Sequence, residues 1–361
     1  MVSISTKLAQ LGNRKDSVTG SVSLPIHPST TYAHPAMGES TGFDYTRTAN
    51  PTRSVLEEGL ADLEGGTYAL ATSSGMSAIQ LVLQLFPKGS KILAGRDLYG
   101  GSYRLFEDLE KADLLTFEYF LDEAACLEKL DASIDAVYLE TPTNPLMQVL
   151  DIEAIAQACR KVDACLIVDN TLLTPLRQKP LELGADIVVH SGTKYLTGHN
   201  DILAGVVVTN DADLGERLVH LANATGPTLS AFDAWLFVRS LKTLEVRFDR
   251  QEATARQVVS ALEALPGIEK VLYAGQGAML SVLFADQAQI KPFLENLQVF
   301  SFAESLGSVE SLVTYPTTQT HADIPEEVRE SYGLTPNLLR FSIGLEDPED
   351  LIHDIKQALQ A

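Results

Sequence analysis

Residues 186–201 read DIVVHSGTKYLTGHND, a short apolar run followed by Ser, Gly, Thr and Lys and then by a turn rich in Gly, His, Asn and Asp. The run DIVVH is typical of a buried strand, and Lys194 lies four residues past its end. A lysine at a loop edge is ordinarily a surface residue. An amine held in a dry pocket is instead a nucleophile toward a carbonyl, because desolvation lowers its pKa. The stretch by itself leaves both interpretations open.

Short apolar runs separated by helical patterns predict the fold class. The predicted strands are TYALAT (67–72), KILAG (91–95), IDAVYLE (134–140), CLIVD (165–169), DIVVH (186–190) and ILAGVVV (202–208). The helical patterns between them are SGMSAIQLVLQLF, DEAACLEKL and DIEAIAQACRK. This alternation predicts an α/β fold with a mostly parallel sheet covered on both faces. Ligands of such folds bind at the C-terminal ends of the strands.

The texture of the sequence changes twice and predicts three segments. The first fifty residues are rich in Thr, Ser, Pro and Gly without periodicity, which favours an extended arm, whereas PTRSVLEEGLADLEG (51–65) predicts a helix with a glycine stop. Residues 232–265 predict one long helical stretch broken once, followed by the strands AMLSVLFA, SVESLVTY and LLRFSIG and a capped terminal helix. We predict an arm over 1–48 that contacts a neighbouring subunit, a large domain over 49–230 and a smaller α+β domain over 231–361.

Composition limits the classes of partner. The 361 residues are 45% hydrophobic and 21% charged with a net charge of −21, and Lys and Arg form no cluster, which argues against nucleic acid. Neither a stretch of about 20 apolar residues nor a signal-peptide core is present. We therefore expect a cytoplasmic protein that does not bind membranes. Three cysteines without metal-type spacing indicate neither a disulfide framework nor a zinc site.

Several polar groups follow the predicted strands. Asp169 ends CLIVD, Ser191 and Thr193 precede Lys194, and Ser73–Met76 opens a helix whose first N–H groups suit an anion. Each feature alone is ordinary, since Ser-Ser-Gly is a common helix cap and Asp-Asn-Thr a common turn. Together they meet the needs of pyridoxal phosphate, which requires a lysine for a Schiff base, a carboxylate at the pyridine nitrogen, an anion site for the phosphate and a flat group on the ring face.

Longer motifs carry a family resemblance. The matching segments are FDYTRTANPTR, SSGMSAI, DLYGGSYRLF, ETPTNP, VDNTLLTP, PLELGADIVVHSGTKYLTGHND, FAESLGSVESL, THADIP and LLRFSIGLEDPEDL. The chain resembles the Cys/Met-metabolism family of pyridoxal-phosphate enzymes, which includes cystathionine γ-synthases, cystathionine γ-lyases and methionine γ-lyases. The resemblance implies the fold of type I pyridoxal-phosphate transferases, like that of aspartate aminotransferase, with the cofactor in the 49–230 domain.

The resemblance also implies roles for the cofactor site. Lys194 would hold the cofactor covalently and move protons between the substrate's α and γ carbons, Asp169 would pair with the ring nitrogen, and Asn144 would bond the phenolic oxygen. Tyr99 would stack on the ring and act as an acid or base. The remaining expected cofactor contacts are Ser74, Gly75, Met76, Thr171, Ser191 and Thr193, with Tyr45 and Arg47 supplied by the adjacent subunit. A site shared in this way implies a homo-oligomer, for which the family precedent is a tetramer.

For the substrate, the resemblance assigns Arg340 to the α-carboxylate, which a planar guanidinium binds through two parallel hydrogen bonds. Ser305 would assist it. Glu304 is the acidic residue of γ-synthases and γ-lyases, Asp44 would meet a distal amino group, and Arg104 a distal carboxylate. Gly101 stands where methionine γ-lyases typically carry cysteine. These positions favour γ-chemistry on a substrate with two amino-acid ends.

Within that chemistry two reactions share their early steps. A synthase joins an O-acylhomoserine to cysteine in methionine biosynthesis and transsulfuration, whereas a γ-lyase splits cystathionine into cysteine, 2-oxobutanoate and ammonia. A bifunctional lyase and O-acetylhomoserine sulfhydrylase is a variant of the second interpretation. The shortened segment between Gly275 and Ala278 and the general likeness to bacterial methionine-biosynthesis members favour the synthase.

Three rival classes have weaker support. A nicotinamide enzyme would depend on GQGAML (275–280), which lacks the third glycine and lies in the wrong half of the chain. A metal hydrolase would need a close ligand pair, but His190 and His199 are nine residues apart, so we expect no metal. An inactive regulatory relative is disfavoured because Lys194, Asp169 and Arg340 are intact.

Overall fold

A computed structural model describes residues 2–360; Met1 and Ala361, at the outer ends of the predicted arm and of the predicted C-terminal domain, lie outside them. The chain divides into two compact units. The first runs to Pro87 and resumes over Cys165–Glu245, and the second comprises Lys88–Ala164 and the chain from Val246 onward. The predicted division into 1–48, 49–230 and 231–361 stays a prediction.

The described residues form helices and strands with the following bounds. The helices are α1 (Ile4–Gln10), α2 (Pro51–Glu64), α3 (Gly75–Leu83), α4 (Gly100–Lys111), α5 (Glu123–Lys129), α6 (Ile152–Val162), α7 (Thr174–Arg177), α8 (Ala212–Thr225), α9 (Ala231–Leu241), α10 (Leu244–Leu262), α11 (Ile290–Asn296), α12 (Glu326–Ser331) and α13 (Pro348–Ala358). The strands are β1 (Tyr68–Thr72), β2 (Ser90–Gly95), β3 (Leu115–Phe120), β4 (Ala136–Glu140), β5 (Cys165–Asp169), β6 (Ile187–Ser191), β7 (Gly205–Thr209), β8 (Ile268–Leu272), β9 (Met279–Phe284), β10 (Ser301–Phe302), β11 (Leu312–Thr314) and β12 (Leu338–Ser342).

Four strands of the first unit lie in the order β1-β7-β6-β5. β5 and β6 are parallel, with Asp169 opposite Val189, whereas β7 is antiparallel to both β6 and β1. The interior of β6 and all of β7 are buried, because their runs of valine and isoleucine are covered on both faces. The parallel pair therefore ends at Asp169 and Ser191, on the same edge.

Helix α2 confirms the predicted helix that begins at Pro51 and stops at a glycine. The Asn50 side chain caps it by accepting the backbone N–H groups of Thr52 at 3.0 Å and Arg53 at 3.2 Å. The helix ends at Gly65, whose φ of 74° lies in the left-handed region that favours glycine. The chain then enters β1 at Tyr68, and α3 begins at Gly75, shortly after that strand ends.

The second unit contains three parallel strands in the order β4-β2-β3 and a five-stranded sheet in the order β10-β11-β12-β9-β8. The helical stretch at 232–265 is broken once, at Lys242–Thr243, as expected. β3 was not among the predicted strands because LTFEYF alternates polar and apolar residues, which is the pattern of a half-exposed strand rather than a buried run.

The expectation of an arm without regular structure was wrong for its first residues. Residues 4–10 form α1, which Ser3 caps and which buries Leu8 to 2% exposure. The stretch is too short to show periodicity in the sequence. Leu8 is the residue through which the helix packs. No helix within residues 2–360 combines the length and the apolar character that crossing a bilayer would need.

Candidate active site

Lys194 lies in a tight turn just past the end of β6. Its backbone N–H donates to Ser191 O at 3.2 Å, and its carbonyl accepts the Gly198 N–H at 2.8 Å. A Cβ on Gly192 would lie 2.7 Å from the Phe237 ring, so the turn needs glycine at this position. The turn thus holds the lysine at the strand edge, with its side chain partly buried.

An anion cradle forms where α3 begins. The Ser74 hydroxyl accepts the Ser77 N–H at 3.1 Å while the Ser77 hydroxyl accepts the Ser74 N–H at 2.9 Å, a reciprocal capping box. The helix geometry leaves the N–H groups of Gly75 and Met76 without acceptors inside the helix. A Cβ on Gly75 would lie 2.9 Å from Ser191 Cβ, so glycine lets the helix start approach Ser191. Exposed N–H groups, the helix dipole and a hydroxyl together suit a phosphate.

Three predicted cofactor contacts are joined by hydrogen bonds. Asp169 Oδ1 accepts the backbone N–H of Thr171 at 3.0 Å, and Thr171 Oγ1 accepts the backbone N–H of Ser191 at 2.8 Å. The Asp169 carboxylate is therefore oriented at the end of β5, two hydrogen bonds away from Ser191 in the anion cradle. The structure brings these three residues together as the sequence predicts.

The Thr193 hydroxyl bonds the backbone of Ala204 in this structure. Its Oγ1 donates to Ala204 O at 3.2 Å and accepts the Ala204 N–H at 3.0 Å. A hydroxyl has one proton to donate, and here that proton points at a carbonyl. A direct bond from this hydroxyl to a phosphate, which stays a prediction, would require the proton to be redirected.

The arm residues are exposed and only partly grouped. The Arg47 guanidinium lies 5.4 Å from the Tyr45 ring centroid, and its Nε donates to Asn223 Oδ1 at 3.2 Å. Tyr45 is 47% exposed. Asp44 instead accepts from the Ser40 hydroxyl at 2.7 Å and lies 3.3 Å from His34 Nε2. Tyr45 and Arg47 thus form a pair, while Asp44 belongs to a separate set of contacts.

In the second unit, Tyr99 precedes the first turn of α4. Its backbone N–H donates to Glu140 Oε1 at 3.0 Å, which ties the turn to the end of β4. A Cβ on Gly101 would lie 2.4 Å from the Tyr99 ring. The ring therefore folds back over the helix start, into space that any side chain at position 101 would occupy.

Arg340 is a buried guanidinium, 2% exposed, in the middle of β12. Its Nη1 donates to Asn144 Oδ1 at 2.9 Å, and its Nη2 donates to Ser305 O at 3.0 Å and to Thr314 Oγ1 at 3.1 Å. Because arginine only donates, the oxygen of the Asn144 amide must face it, which leaves the NH₂ of that amide to point elsewhere. That NH₂ is the donor that a phenolic oxygen would need. Ser305 contributes its carbonyl from a backbone with φ of 108°.

The two remaining predicted substrate residues are exposed. Glu304 lies next to Ser305 on an exposed turn. Arg104 Nη1 forms an ion pair with Asp323 Oδ2 at 2.8 Å, with the two side chains 47% and 62% exposed. The pairing of Arg104 was not foreseen, because the partner lies 219 residues further along the chain.

Sequence reasoning missed a buried polar group beneath β5 and β6. Glu64 Oε1 lies 2.5 Å from His190 Nε2 and accepts from Asn170 Nδ2 at 3.0 Å. His190 and Asn170 directly adjoin Ser191 and Asp169, so strand alternation directs them to the opposite face of the sheet. The available signal was the presence of polar residues inside otherwise apolar runs.

Asp97, two residues before Tyr99, is a second missed group. Its Oδ2 accepts the Leu146 N–H at 3.2 Å, next to the loop that carries Asn144. Burial raises the pKa of this carboxyl to about 7, although hydrogen bonds from Thr143 and Leu146 oppose the shift. Asp97 therefore connects the turn at Tyr99 with the loop at Asn144.

The lysine turn, the adjoining carboxylate and the anion cradle match three of the four chemical demands of pyridoxal phosphate, so the residues present fit that cofactor. They define a pyridoxal-phosphate enzyme. The sequence pattern of the family described as Cys/Met metabolism PLP-dependent enzyme matches residues 5–360, and the chain belongs to that family.

Known relatives and a solved structure agree. The chain is 53% identical to the cystathionine γ-synthase/O-acetylhomoserine (thiol)-lyase of Bacillus subtilis, covering 99% of this chain and 96% of that protein. It is 42% identical to the cystathionine β-lyase of Lactococcus lactis subsp. cremoris, covering 100% of both, and 42% identical to the cystathionine γ-lyase of Bacillus subtilis, covering 96% of both. The structure of cystathionine γ-synthase from Xanthomonas oryzae pv. oryzae, in complex with aminoacrylate and cysteine, superposes with a TM-score of 0.97 at 38% identity, covering 100% of this chain and 98% of that chain.

These comparisons confirm several predictions. The fold is that of type I pyridoxal-phosphate enzymes, the cofactor is pyridoxal phosphate, and the chain is an enzyme of the cystathionine synthase and lyase group. The individual roles of the site residues stay predictions.

Proposed function

We propose that the chain catalyses γ-replacement, forming cystathionine from an O-acylhomoserine and cysteine. The observation that carries this proposal is the 53% identity over nearly the full length with a Bacillus subtilis protein described as both cystathionine γ-synthase and O-acetylhomoserine (thiol)-lyase. The presence of Glu304 beside Ser305, whose carbonyl holds Arg340, supports γ-chemistry on an amino-acid substrate.

The reaction balances without an oxidant or reductant. The bond from Cγ to the acyl oxygen breaks, the bond from Cγ to the cysteine sulfur forms, and the thiol proton leaves with the displaced acid. Bound pyridoxal phosphate supplies an electron sink that stabilises negative charge on the carbon bearing the amino group. The protein's own groups must bind the substrate, align it and move protons.

Each predicted residue has a distinct task in that scheme. Arg340 binds the α-carboxylate through two parallel hydrogen bonds and so fixes the orientation of the Cα–H bond. The Lys194 amine would hold the cofactor covalently in the resting enzyme and would move protons between the substrate's α and γ carbons. The Asp169 carboxylate favours a protonated ring nitrogen, and the Tyr99 hydroxyl assists departure of the leaving group.

A second candidate function is cystathionine γ-elimination, which the 42% identity to a Bacillus subtilis γ-lyase favours. In that reaction water hydrolyses cystathionine to cysteine, 2-oxobutanoate and ammonia. The same lysine, aspartate and arginine would serve it, because both reactions begin by removing the Cα proton. The two differ in whether a thiol or water completes the reaction.

Substrate comparison separates the two functions. Purified protein is supplied with O-acetylhomoserine, O-succinylhomoserine or cystathionine, each with and without cysteine or sulfide, and the products are identified by mass. The proposal expects cystathionine from an acylhomoserine plus cysteine, with Lys194→Ala inactive as the control. If cystathionine is the one substrate of the three that is turned over, to cysteine and 2-oxobutanoate, the chain is a lyase instead.

Assembly forms part of the proposal. The exposed pair of Tyr45 and Arg47 supports an arm that completes the phosphate site of a neighbouring copy, and we extend this to a homotetramer. The small-molecule partners would be amino acids, in line with the cysteine bound to the Xanthomonas oryzae structure.

A further inference from the structure

His321, in the THADIP segment at residues 320–325, has no task in the scheme above. The side chain is fully buried. Its Nε2 lies 3.2 Å from Leu98 O and 3.3 Å from Asn144 O, and its Nδ1 lies 2.8 Å from Thr320 Oγ1. A single imidazole therefore contacts two chain segments that are distant in sequence.

The partners decide where the ring carries its proton. Carbonyl oxygens only accept, so Nε2 must carry the hydrogen and share it between the two carbonyls. Nδ1 is then the acceptor and receives the Thr320 hydroxyl proton. Burial lowers the pKa of His321 to about 3, and the positive charges of Arg340 and Arg329 act in the same direction. The ring is thus a neutral donor with one defined tautomer.

The two carbonyls belong to the segments that carry predicted site residues. Leu98 directly precedes Tyr99, and the Asn144 side chain accepts from Arg340 at 2.9 Å. If His321 served only to satisfy buried carbonyls, those carbonyls could belong to any two segments of the chain. Here both acceptors adjoin predicted site side chains, and Asp97 ties the same two segments through Leu146.

The THADIP segment is itself held in place. A Cβ on Gly100 would lie 2.0 Å from Thr320 O, so the start of α4 packs directly against this backbone. On the other side, Arg329 Nη1 donates to Thr317 O at 2.7 Å and to His321 O at 3.3 Å. The imidazole therefore acts from a rigid support.

The geometry points to His321 as a positioning residue for recognition of the substrate α-carboxylate, acting by fixing the Asn144 segment whose side chain orients Arg340. Thr320 is part of the device, because its hydroxyl donates to Nδ1 and so supports the tautomer that the two carbonyls select. The inference rests on the proposed role of Arg340 as the carboxylate ligand, and it does not depend on which reaction follows.

The test measures binding instead of turnover. L-Norvaline, which lacks a γ leaving group, and n-butylamine, which is norvaline without its carboxylate, are titrated into the holoenzyme and followed by the absorbance of the bound cofactor. His321→Asn removes the donor at the Nε2 position, whereas His321→Gln places an amide N–H near it. We expect His321→Asn to weaken norvaline binding about tenfold, the equivalent of one hydrogen bond. Butylamine affinity should be unchanged, and His321→Gln should restore most of the loss.

Thr320→Val and Thr320→Ser provide a second pair if the histidine variants fold poorly, as judged by cofactor content and thermal midpoint. Valine removes the hydroxyl at nearly constant volume and should weaken norvaline binding selectively, while serine should not. Equal losses for norvaline and butylamine, or equal behaviour of the Asn and Gln variants, would overturn the inference. If wild-type protein binds norvaline more tightly than butylamine but makes no cystathionine, the proposed synthase reaction is refuted. The norvaline and butylamine titrations of the variants then still test His321.

Discussion

Glu64 Oε1 and His190 Nε2 lie 2.5 Å apart, with both side chains 1% exposed, beneath the strand edge that carries Asp169 and Ser191. Removing one partner of a buried pair leaves the other without compensation, so we expect Glu64→Ala to lower the free energy of unfolding by about 3 kcal/mol. Glu64→Gln keeps an acceptor for His190 and should cost about 1 kcal/mol. Urea unfolding of the holoenzyme measures both.

Glu58→Gln is the matched control, because Glu58 lies on the same helix and forms an exposed pair with Lys15. An exposed pair of this kind contributes under about 1 kcal/mol. If Glu64→Ala were no more destabilising than Glu58→Gln, the buried pair would not support the strand edge.

Adjacent glycines at the start of α4 should respond in opposite ways to alanine. At Gly100 the new Cβ would meet the Thr320 carbonyl at 2.0 Å, a backbone contact that cannot yield, so Gly100→Ala should unfold at markedly lower temperature. At Gly101 the Cβ meets the Tyr99 ring at 2.4 Å, and the ring can move. Gly101→Ala should therefore keep or slightly raise stability, since alanine is the better helix former by about 1 kcal/mol. Its kcat/KM should fall about tenfold, because a displaced ring loses roughly 1.4 kcal/mol of transition-state stabilisation.

Ser102→Ala is the control in the same helix turn, because the Ser102 hydroxyl has no hydrogen-bond partner among residues 2–360. Melting curves and steady-state kinetics of the three variants suffice. Full activity in Gly101→Ala would show that the position of the Tyr99 ring does not limit the reaction.

The buried Asp97 should make stability depend on pH. Its pKa is raised from 3.8 to about 7 in the folded state, so between these values the folded protein binds the proton that the unfolded chain has lost. Stability therefore falls as pH rises through this window, by up to about 1.4 kcal/mol per pH unit, and the penalty levels off above pH 7. Asp97→Asn should gain stability relative to wild type from pH 5 to pH 7 and only a little further from pH 7 to pH 8, as measured by urea unfolding.

Asp16→Asn is the comparison for that experiment. Hydrogen bonds from Thr19 lower the pKa of the exposed Asp16 to about 2, so this carboxylate is ionised in both states throughout the measured range. Its substitution should give a difference that does not vary with pH. A flat profile for Asp97→Asn as well would mean that Asp97 stays ionised when buried.

If the arm completes the site of a neighbouring copy, two inactive variants should restore each other's activity in mixed oligomers. If Arg47 serves the phosphate of a neighbouring copy, mixed oligomers of Lys194→Ala and Arg47→Ala contain some sites with both residues intact. Co-expression of differently tagged subunits, followed by purification through both tags, should restore part of the wild-type activity. The same purification of Lys194→Ala with Asp169→Ala is the control and should give no activity, because we expect both residues to act within one subunit.

The ion pair of Arg104 with Asp323 should influence substrate choice. Asp323→Asn leaves Arg104 without its carboxylate partner, so a substrate with a distal carboxylate no longer competes with that partner. KM for O-succinylhomoserine should fall about threefold, in keeping with an exposed pair worth under about 1 kcal/mol, while KM for O-acetylhomoserine stays constant. Glu107→Gln is the control. It removes an equal charge from α4, the helix that carries Arg104, where Glu107 pairs with Lys111, and it should leave the ratio of the two KM values unchanged.

The part of the fold that followed from the sequence is the part governed by local pattern. Buried runs such as CLIVD and DIVVH, and the glycine stop of α2 at Gly65, depend on neighbours within a few residues. The edge strand at 115–120 was not predicted because alternating polar and apolar residues give a weak signal. Helix α1 was not predicted because it has a single buried leucine. The α/β class followed from the alternation of strands and helices, and the family resemblance, with its particular fold type, followed from motifs that span the chain.

The site was predictable residue by residue only where a motif named the residue. His321, Asp97 and Glu64 act through contacts with residues 49 to 223 positions away, which no local pattern reveals. The engagement of Thr193 by Ala204 and of Arg104 by Asp323 depends on side-chain placement, and composition carries no information about it.

The backbone of Ser305 limits how this enzyme could be re-engineered. Its φ of 108° lies where side chains beyond glycine are strained, and its carbonyl in that conformation receives Arg340. Because serine already carries a Cβ there, small residues should keep this geometry, whereas β-branched or bulky residues would add strain and displace the carbonyl from Arg340. Glu304, one residue earlier, is exposed and has no positive φ, so its side chain can be varied without backbone strain, and a library there would report its proposed part in γ-chemistry directly.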